Sequence, residues 1–182
     1  MRTVPTAITG VVIVEPEVHA DGRGFFLETY QAERYRAHGI PGPFVQDNHS
    51  RSVAGTLRGL HMQIRRPQGK LIYVIEGEVL DVAVDVRRGS PTFGRHVAVT
   101  LSADNFRQIY IPPGFLHGFC VVSEVAQVQY KATELYDPQG EIGVAWDDPA
   151  LAIPWPLQAP ILSRRDSAHQ TLAELADRLP PL

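Results

Sequence analysis

The chain has 182 residues, 44% of them hydrophobic and 20% charged, with a formal net charge of −3. That length carries one domain with a sizeable core, and the charge balance leaves no broad basic face, which argues against a nucleic-acid partner. Any anionic ligand has to be held by a local cluster of Arg and Lys. The single cysteine, Cys120, excludes an intramolecular disulfide, and within the apolar run GFCVV it reads as buried filler. The opening MRTVPTAITG lacks a signal-peptide apolar core, and no run approaches the ~18 apolar residues of a membrane span. A cytoplasmic protein without a membrane partner is expected.

Fifteen Gly and fifteen Pro punctuate short β-branched runs, with no internal repeat or linker, so residues 1–182 are read as a single domain. Thr6–Glu15 reads as a strand, His19–Gly24 as a turn, and Phe25–Tyr30 as a second strand. Gln31–His38, stopped by Gly39 and Pro41, predicts a short helix. Strands are then expected at Phe44–Ser52, Thr56–Gln63, Lys70–Glu76, Glu78–Arg87, Gly94–Leu101, Phe106–Ile111, Gly118–Val122 and Val125–Glu134. The Pro-rich Asp147–Pro160 is expected to run extended over the surface. Ser167–Leu179 predicts a terminal helix with Leu172, Leu175, Ala176 and Leu179 on one stripe. Many short strands with few helices argue an all-β, two-sheet sandwich or barrel of the jelly-roll kind.

Alternation assigns faces. In Val125–Ala132 the even positions are the more apolar, so Tyr130 points inward and Lys131 outward. In Glu78–Arg87, Asp81 and Asp85 share the face opposite Leu80, Val82, Val84 and Val86. That face is either solvated or lines a pocket.

The stretch from Phe44 to Asp85 interleaves His61, Arg58, Lys70 and several Asp with core residues, which is costly unless the charges are paired or used. His61 is either a core histidine with one hydrogen bond or a site residue. Arg58 just before it and Lys70 just after shift the balance, because three cations close in sequence need an anion such as a phosphate. Gly59 allows a bulge or a close approach of a ligand to the backbone. Pro112–His117 (PPGFLH) matches P-x-G-x-x-H, the second motif of the cupins. The first motif would need H-x-H, yet here it reads His61-Met62-Gln63, so a site without metal or cofactor is expected. Arg23, Glu28, Arg164, Arg165 and Asp166 read singly as solvated charges. Asp166 gains a role only if the chain folds back to His61, where it would orient the imidazole.

With these residues in view, the chain resembles the dTDP-4-dehydrorhamnose 3,5-epimerase family of cupin-type nucleotide-sugar epimerases. The stretches that carry the resemblance are DGRGFFLETY, FVQDNHSRSVAGTLRGLH, QGKLIYVIEGEVLDVAVDVRRGSPTFG, IPPGFLHGF, QYKATELYDP, EIGVAWDDPALAIPWP and LSRRD, collinear from Gly22 to Asp166. The resemblance implies a cupin jelly roll and a homodimer acting on a dTDP-sugar. It implies His61 as base held by Asp166, Tyr130 as acid, and Lys70 as stabiliser of an enolate. It assigns Arg23, Phe25, Glu28, Gln46, Asn48, Arg58, His117, Tyr136, Glu141 and Arg165 to nucleotide-sugar binding, with Arg23 and Glu28 acting across the dimer. Three positions depart from the family pattern: Met62 for an aromatic, Tyr73 for an arginine, and Arg165 for a lysine. Three rival readings predict different behaviour. A single-centre epimerase exchanges one carbon-bound proton instead of two, a metal-dependent cupin loses activity to a chelator, and a non-catalytic binder exchanges none.

Overall fold

The computed structural model describes residues 1–182. The punctuated β-branched runs form thirteen strands: β1 (Arg2–Pro5), β2 (Val12–Glu15), β3 (Val18–Asp21), β4 (Gly24–Leu27), β5 (Gln46–Val53), β6 (Leu57–Gln63), β7 (Lys70–Glu76), β8 (Glu78–Asp85), β9 (His96–Ser102), β10 (Gln108–Ile111), β11 (Phe115–Val121), β12 (Val125–Ala132) and β13 (Glu141–Gly143). One helix, α1 (Ala32–Ala37), is capped by the Gln31 side chain. Six strands form a sheet in the order β1-β2-β10-β7-β12-β5, and five form another in the order β13-β6-β11-β8-β9. The chain crosses repeatedly between the two, as in a jelly roll, and β3 and β4 stand apart as a hairpin.

Three apolar layers hold the sandwich. The interior is filled from both sheets, by Ile72, Val74, Ala126 and Val128 on one side and Val79, Ala83, Phe115 and Phe119 on the other. The outer face of the six-stranded sheet is covered by α1 and the following loop, where Tyr35 and Ile40 meet Val14, Leu71 and Tyr110. The outer face of the five-stranded sheet (Leu60, Met62, Val82, Val84, Leu116) is covered by Leu151, Leu172, Leu175 and Leu179 from the end of the chain. Each fully buried Val, Leu, Ile, Phe or Met among them contributes about 1.5–3 kcal/mol of transfer free energy.

Several expected boundaries shift. Of the expected strand Thr6–Glu15 only Val12–Glu15 forms, as β2; it pairs with β1, which lies before Thr6, and the Thr6 hydroxyl donates to the carbonyls of Ile8 and Val11 in the connection. The expected turn at His19–Gly24 shrinks to the Asp21–Gly24 corner, because β3 extends through Asp21 and pairs with β4. β11 begins at Phe115, earlier than Gly118, and β10 begins at Gln108, later than Phe106. The Pro-rich segment after Asp147 is a series of turns that buries Leu151 and packs Trp155 on the outer layer. The expected terminal helix is absent. Only two single 3-10 turns form there, at Asp166–Ala168 and Ala176–Arg178, because the backbone is engaged elsewhere. The Leu172 N–H donates to Asp148, the Gln170 carbonyl accepts from Ala145, and the Thr171 N–H donates to Glu174. Leu172, Leu175 and Leu179 are buried as expected, but Ala176 is exposed.

A bulge in β6 decides which way its polar residues point. Arg58 and His61 are three apart, so a regular strand would put them on opposite faces. The β6–β11 register shifts between the pairs Phe119–Arg58 and His117–His61, inserting one extra residue that brings both to the inner face. Gly59 permits this. It sits at φ +122°, and a Cβ there would lie 2.6 Å from Gly118 Cα and 2.8 Å from the His117 carbonyl oxygen. Gly59→Ala is therefore expected to destabilise the fold by about 2 kcal/mol or more, lowering Tm by roughly 5 °C. A thermal melt matching the wild type would refute the close approach.

Candidate active site

At one end of the sandwich, polar side chains replace the apolar ones on the inner faces. The six-stranded sheet contributes Gln46, Asn48 and Ser50 from β5, Lys70 from β7 and Tyr130 from β12; the five-stranded sheet contributes Arg58, His61 and Gln63 from β6, His117 from β11 and Glu141 from β13. These residues line a cavity of about 420 Å³. Loop residues Tyr136, Ser163, Arg165 and Asp166 complete the wall, with Met62, Gln68 and Phe119. Cross-strand register fixes the neighbours: Tyr130 pairs with Asn48 on one side and Ile72 on the other, and His61 pairs with His117 and Gly143.

His61 and Asp166 form a short, largely buried polar contact in the cavity. The imidazole Nε2–H donates to Asp166 Oδ1 at 2.7 Å, which leaves Nδ1 with the free lone pair. Asp166 is only 4% exposed, and its own N–H donates to Ser163 Oγ. Burial alone would raise its carboxyl; the hydrogen bond and charge of His61 outweigh this and hold it below the usual carboxylate range. His169 Nε2 lies 3.8 Å from the same oxygen, and its ring stands edge-on to His61 with centroids 5.2 Å apart. Burial, and then His61, push His169 below its ordinary value.

On the opposite sheet, Lys70 Nζ lies 5.9 Å from the centre of the Tyr130 ring. Burial pushes the ammonium below the usual lysine range, against the pull of Glu141 and Asp81. Burial also raises the Tyr130 phenol, helped by Glu141 and opposed by Arg58. A second imidazole–carboxylate pair closes the floor: His117 Nε2–H donates to Asp81 Oδ2 at 2.9 Å, both groups being buried. Asp81 and Asp85 thus resolve differently. Asp81 is fully buried behind His117, and Asp85 is bound by Arg87, Ser90 and Thr92. At the mouth, Arg58 Nε donates to Ser52 Oγ, Arg165 pairs with Glu141, and the Tyr136 N–H donates to Gln46.

Of the residues singled out in the sequence, His61, Tyr130, Lys70, Asp166, Gln46, Asn48, Arg58, His117, Tyr136, Glu141 and Arg165 all line this one cavity. Arg23, Phe25 and Glu28 do not. Arg23 is bound to Asp21 on the exposed hairpin, Glu28 to Arg34, and Phe25 packs edge-on to Phe106 while 61% exposed. Asp166 is no solvated charge, and neither is Arg165 unpartnered. Sequence reasoning missed Ser50, Gln63, Gln68, Phe119, Ser163 and His169. Ser50 was within reach, since it shares the alternation of Gln46 and Asn48. His169 was not, because the segment carrying it reads as helix.

The family model for dTDP-4-dehydrorhamnose 3,5-epimerase matches residues 5–174. The chain is 53% identical to the dTDP-4-dehydrorhamnose 3,5-epimerase of Pseudomonas aeruginosa, over 99% of this chain and all of that one. A dTDP-4-dehydrorhamnose 3-epimerase of Streptomyces niveus is 42% identical over 97% of this chain and 86% of its own. Among solved structures, a dTDP-6-deoxy-D-glucose-3,5-epimerase of Legionella pneumophila in complex with dTDP-4-keto-L-rhamnose superposes with a TM-score of 0.97. It is 49% identical and covers 100% of this chain and 98% of that one. No helix of the structure is long and apolar enough to cross a membrane. On its sequence and its three-dimensional course alike, the chain belongs to the dTDP-4-dehydrorhamnose 3,5-epimerase family.

Proposed function

We propose that this protein inverts C3″ and C5″ of dTDP-4-dehydro-6-deoxy-D-glucose to give dTDP-4-dehydro-L-rhamnose, a step of dTDP-L-rhamnose biosynthesis. The observation that carries this reading is that His61 and Tyr130 face one cavity from opposite sheets, with Lys70 beside Tyr130. Inversion next to a ketone needs a base on one face of the ring and an acid on the other. His61 Nδ1 takes the carbon-bound proton, and the buried Asp166 carboxylate stabilises the imidazolium that forms. The electron pair moves onto the C4″ oxygen, where the Lys70 ammonium stabilises it. The Tyr130 phenol, held protonated by burial, then delivers its proton to the carbon from the far side. Arg58 and Arg165, at the mouth, suit the diphosphate, and Tyr136 offers a face for the base.

The same reading makes the protein a cytoplasmic homodimer in which the partner's hairpin completes the nucleotide site. The β3–β4 hairpin stands apart from both sheets, with Phe25 61% and Phe26 71% exposed. Such apolar exposure fits an interface between copies, so Arg23, Phe25 and Glu28 act in trans.

His61→Ala is expected to abolish solvent deuterium exchange at both carbons while leaving dTDP binding within about twofold. Tyr130→Phe is expected to lose inversion but retain exchange; full product yield from that variant would overturn its role. Exchange at one carbon only would assign a single-centre epimerase.

The alkaline limb of kcat is expected to report Lys70. Its acidity is raised by burial, so it discharges below the usual lysine range, whereas Tyr130 discharges above the usual tyrosine range. Glu141→Gln removes an anion that favours the charged lysine and should move this limb to lower pH; an unmoved or raised limb in the pH–rate profile would refute the coupling.

Subunit mixing tests the trans assignment. His61→Ala and Arg23→Ala, each deficient alone, should on mixing recover roughly a quarter of wild-type activity, because half the chains enter mixed dimers and each mixed dimer holds one intact site. No recovery would place Arg23 in cis or outside the site.

A further inference from the structure

We propose that His61, Asp166 and His169 together form a binding site for a divalent first-row transition metal, with zinc as its type ion, and that metal bound there inhibits the enzyme. One ligand atom from each residue lies within 4.8 Å of the others, and both imidazoles present Nε2 to Asp166 Oδ1. Two imidazoles and a carboxylate are a donor set that zinc and its neighbours favour. Tetrahedral bonds of about 2.0–2.1 Å space the donors about 3.3 Å apart. The two spacings about Asp166, 2.7 Å to His61 and 3.8 Å to His169, bracket that value. Shifts of about half an ångström in each direction would meet it.

His169 is fixed for this role by packing. Its side chain is 10% exposed and lies against Gly143, where any Cβ would overlap the imidazole ring. Gly143 in turn pairs with His61 across β13 and β6. A second cleft of about 190 Å³, lined by Gly143, Ala168, His169 and Arg178, reaches His169 and shares Glu141 and Arg165 with the main cavity.

Two features make the site weak and reversible. Arg165 Nε lies 3.9 Å from Asp166 Oδ1, although Glu141 pairs with its guanidinium. His169 Nδ1 is buried without a partner, so the second hydrogen bond that usually braces a metal-bound histidine is missing. Loss of such a bond costs about 10–100-fold in affinity.

The inhibitory step follows from the imidazole tautomer and rests on the epimerase reading above. Metal at His61 Nε2 uses the lone pair there, so the single ring proton moves from Nε2 to Nδ1 and none is gained or lost. The Nδ1 lone pair that would accept the sugar's proton is thereby consumed. Substrate still binds, but the base is disabled.

Calorimetric titration of the full chain with zinc chloride is expected to show one ion per chain, and His169→Phe, which keeps a ring against Gly143, should weaken it at least tenfold. His169→Gln serves if the phenylalanine variant does not fold. In deuterium exchange, zinc should lower kcat with KM nearly unchanged, reversibly with chelator, and each His169 variant should resist zinc relative to its own zinc-free rate. No stoichiometric binding, or wild-type binding by both variants, overturns the site. Stoichiometric binding without loss of exchange overturns the inhibition. A protein that exchanges no protons even without zinc sinks the epimerase reading, while the titration still decides the metal site.

Discussion

The hydrogen bond from His61 to Asp166 ties the imidazole-lined wall of the cavity to the end of the chain. A carboxylate this buried is tolerable only when its charge is answered, and here the His61 imidazole answers it. The arrangement works in both directions. Asp166 selects the tautomer in which Nδ1 holds the lone pair, and His61 opposes the rise that burial would impose on the Asp166 carboxyl. The segment carrying Asp166 has no helix to brace it and is held by side-chain bonds and three leucines on the outer face of the five-stranded sheet.

The remainder of the site follows from where the sandwich stops being apolar. The same inward positions that hold Ile72, Val74, Val128 and Ala126 deeper in the interior become Lys70 and Tyr130 toward the cavity. Charge buried there is paired or held by opposing fields: Lys70 is drawn by Glu141 and Asp81, and His117 is engaged by Asp81. The bulge at Gly59 turns Arg58 to the same face as His61, putting a guanidinium and an imidazole on one strand and one wall of the cavity. In the proposed mechanism this one local irregularity couples recognition to chemistry.

How much of this was legible in the sequence depended on the range of the interaction. Alternation along β12 and β8 correctly aimed Tyr130 inward and put the aspartates opposite Leu80, because strand faces are a two-residue property. Gly59 announced its bulge by chemistry alone. The fate of Asp81, by contrast, depended on His117 across the sheet, which no local pattern encodes. The terminal segment misled for a related reason: its leucine spacing is helical, but tertiary bonds to Asp148 and Ala145 claim its backbone, and the leucines reach the core without a helix. His169 was hidden with it. The hairpin residues Arg23, Phe25 and Glu28 were marked by family resemblance, yet within a single chain they lie away from the cavity.

The tail that covers the five-stranded sheet has one more implication. It shields an apolar surface and, through Asp166, supplies His61 with its counter-charge, so under the proposed mechanism a single fraying event would uncover the one and silence the other. A protein built this way announces partial unfolding by falling silent first. Turnover would then register damage to the clasp before any change in the bulk of the β-structure became visible.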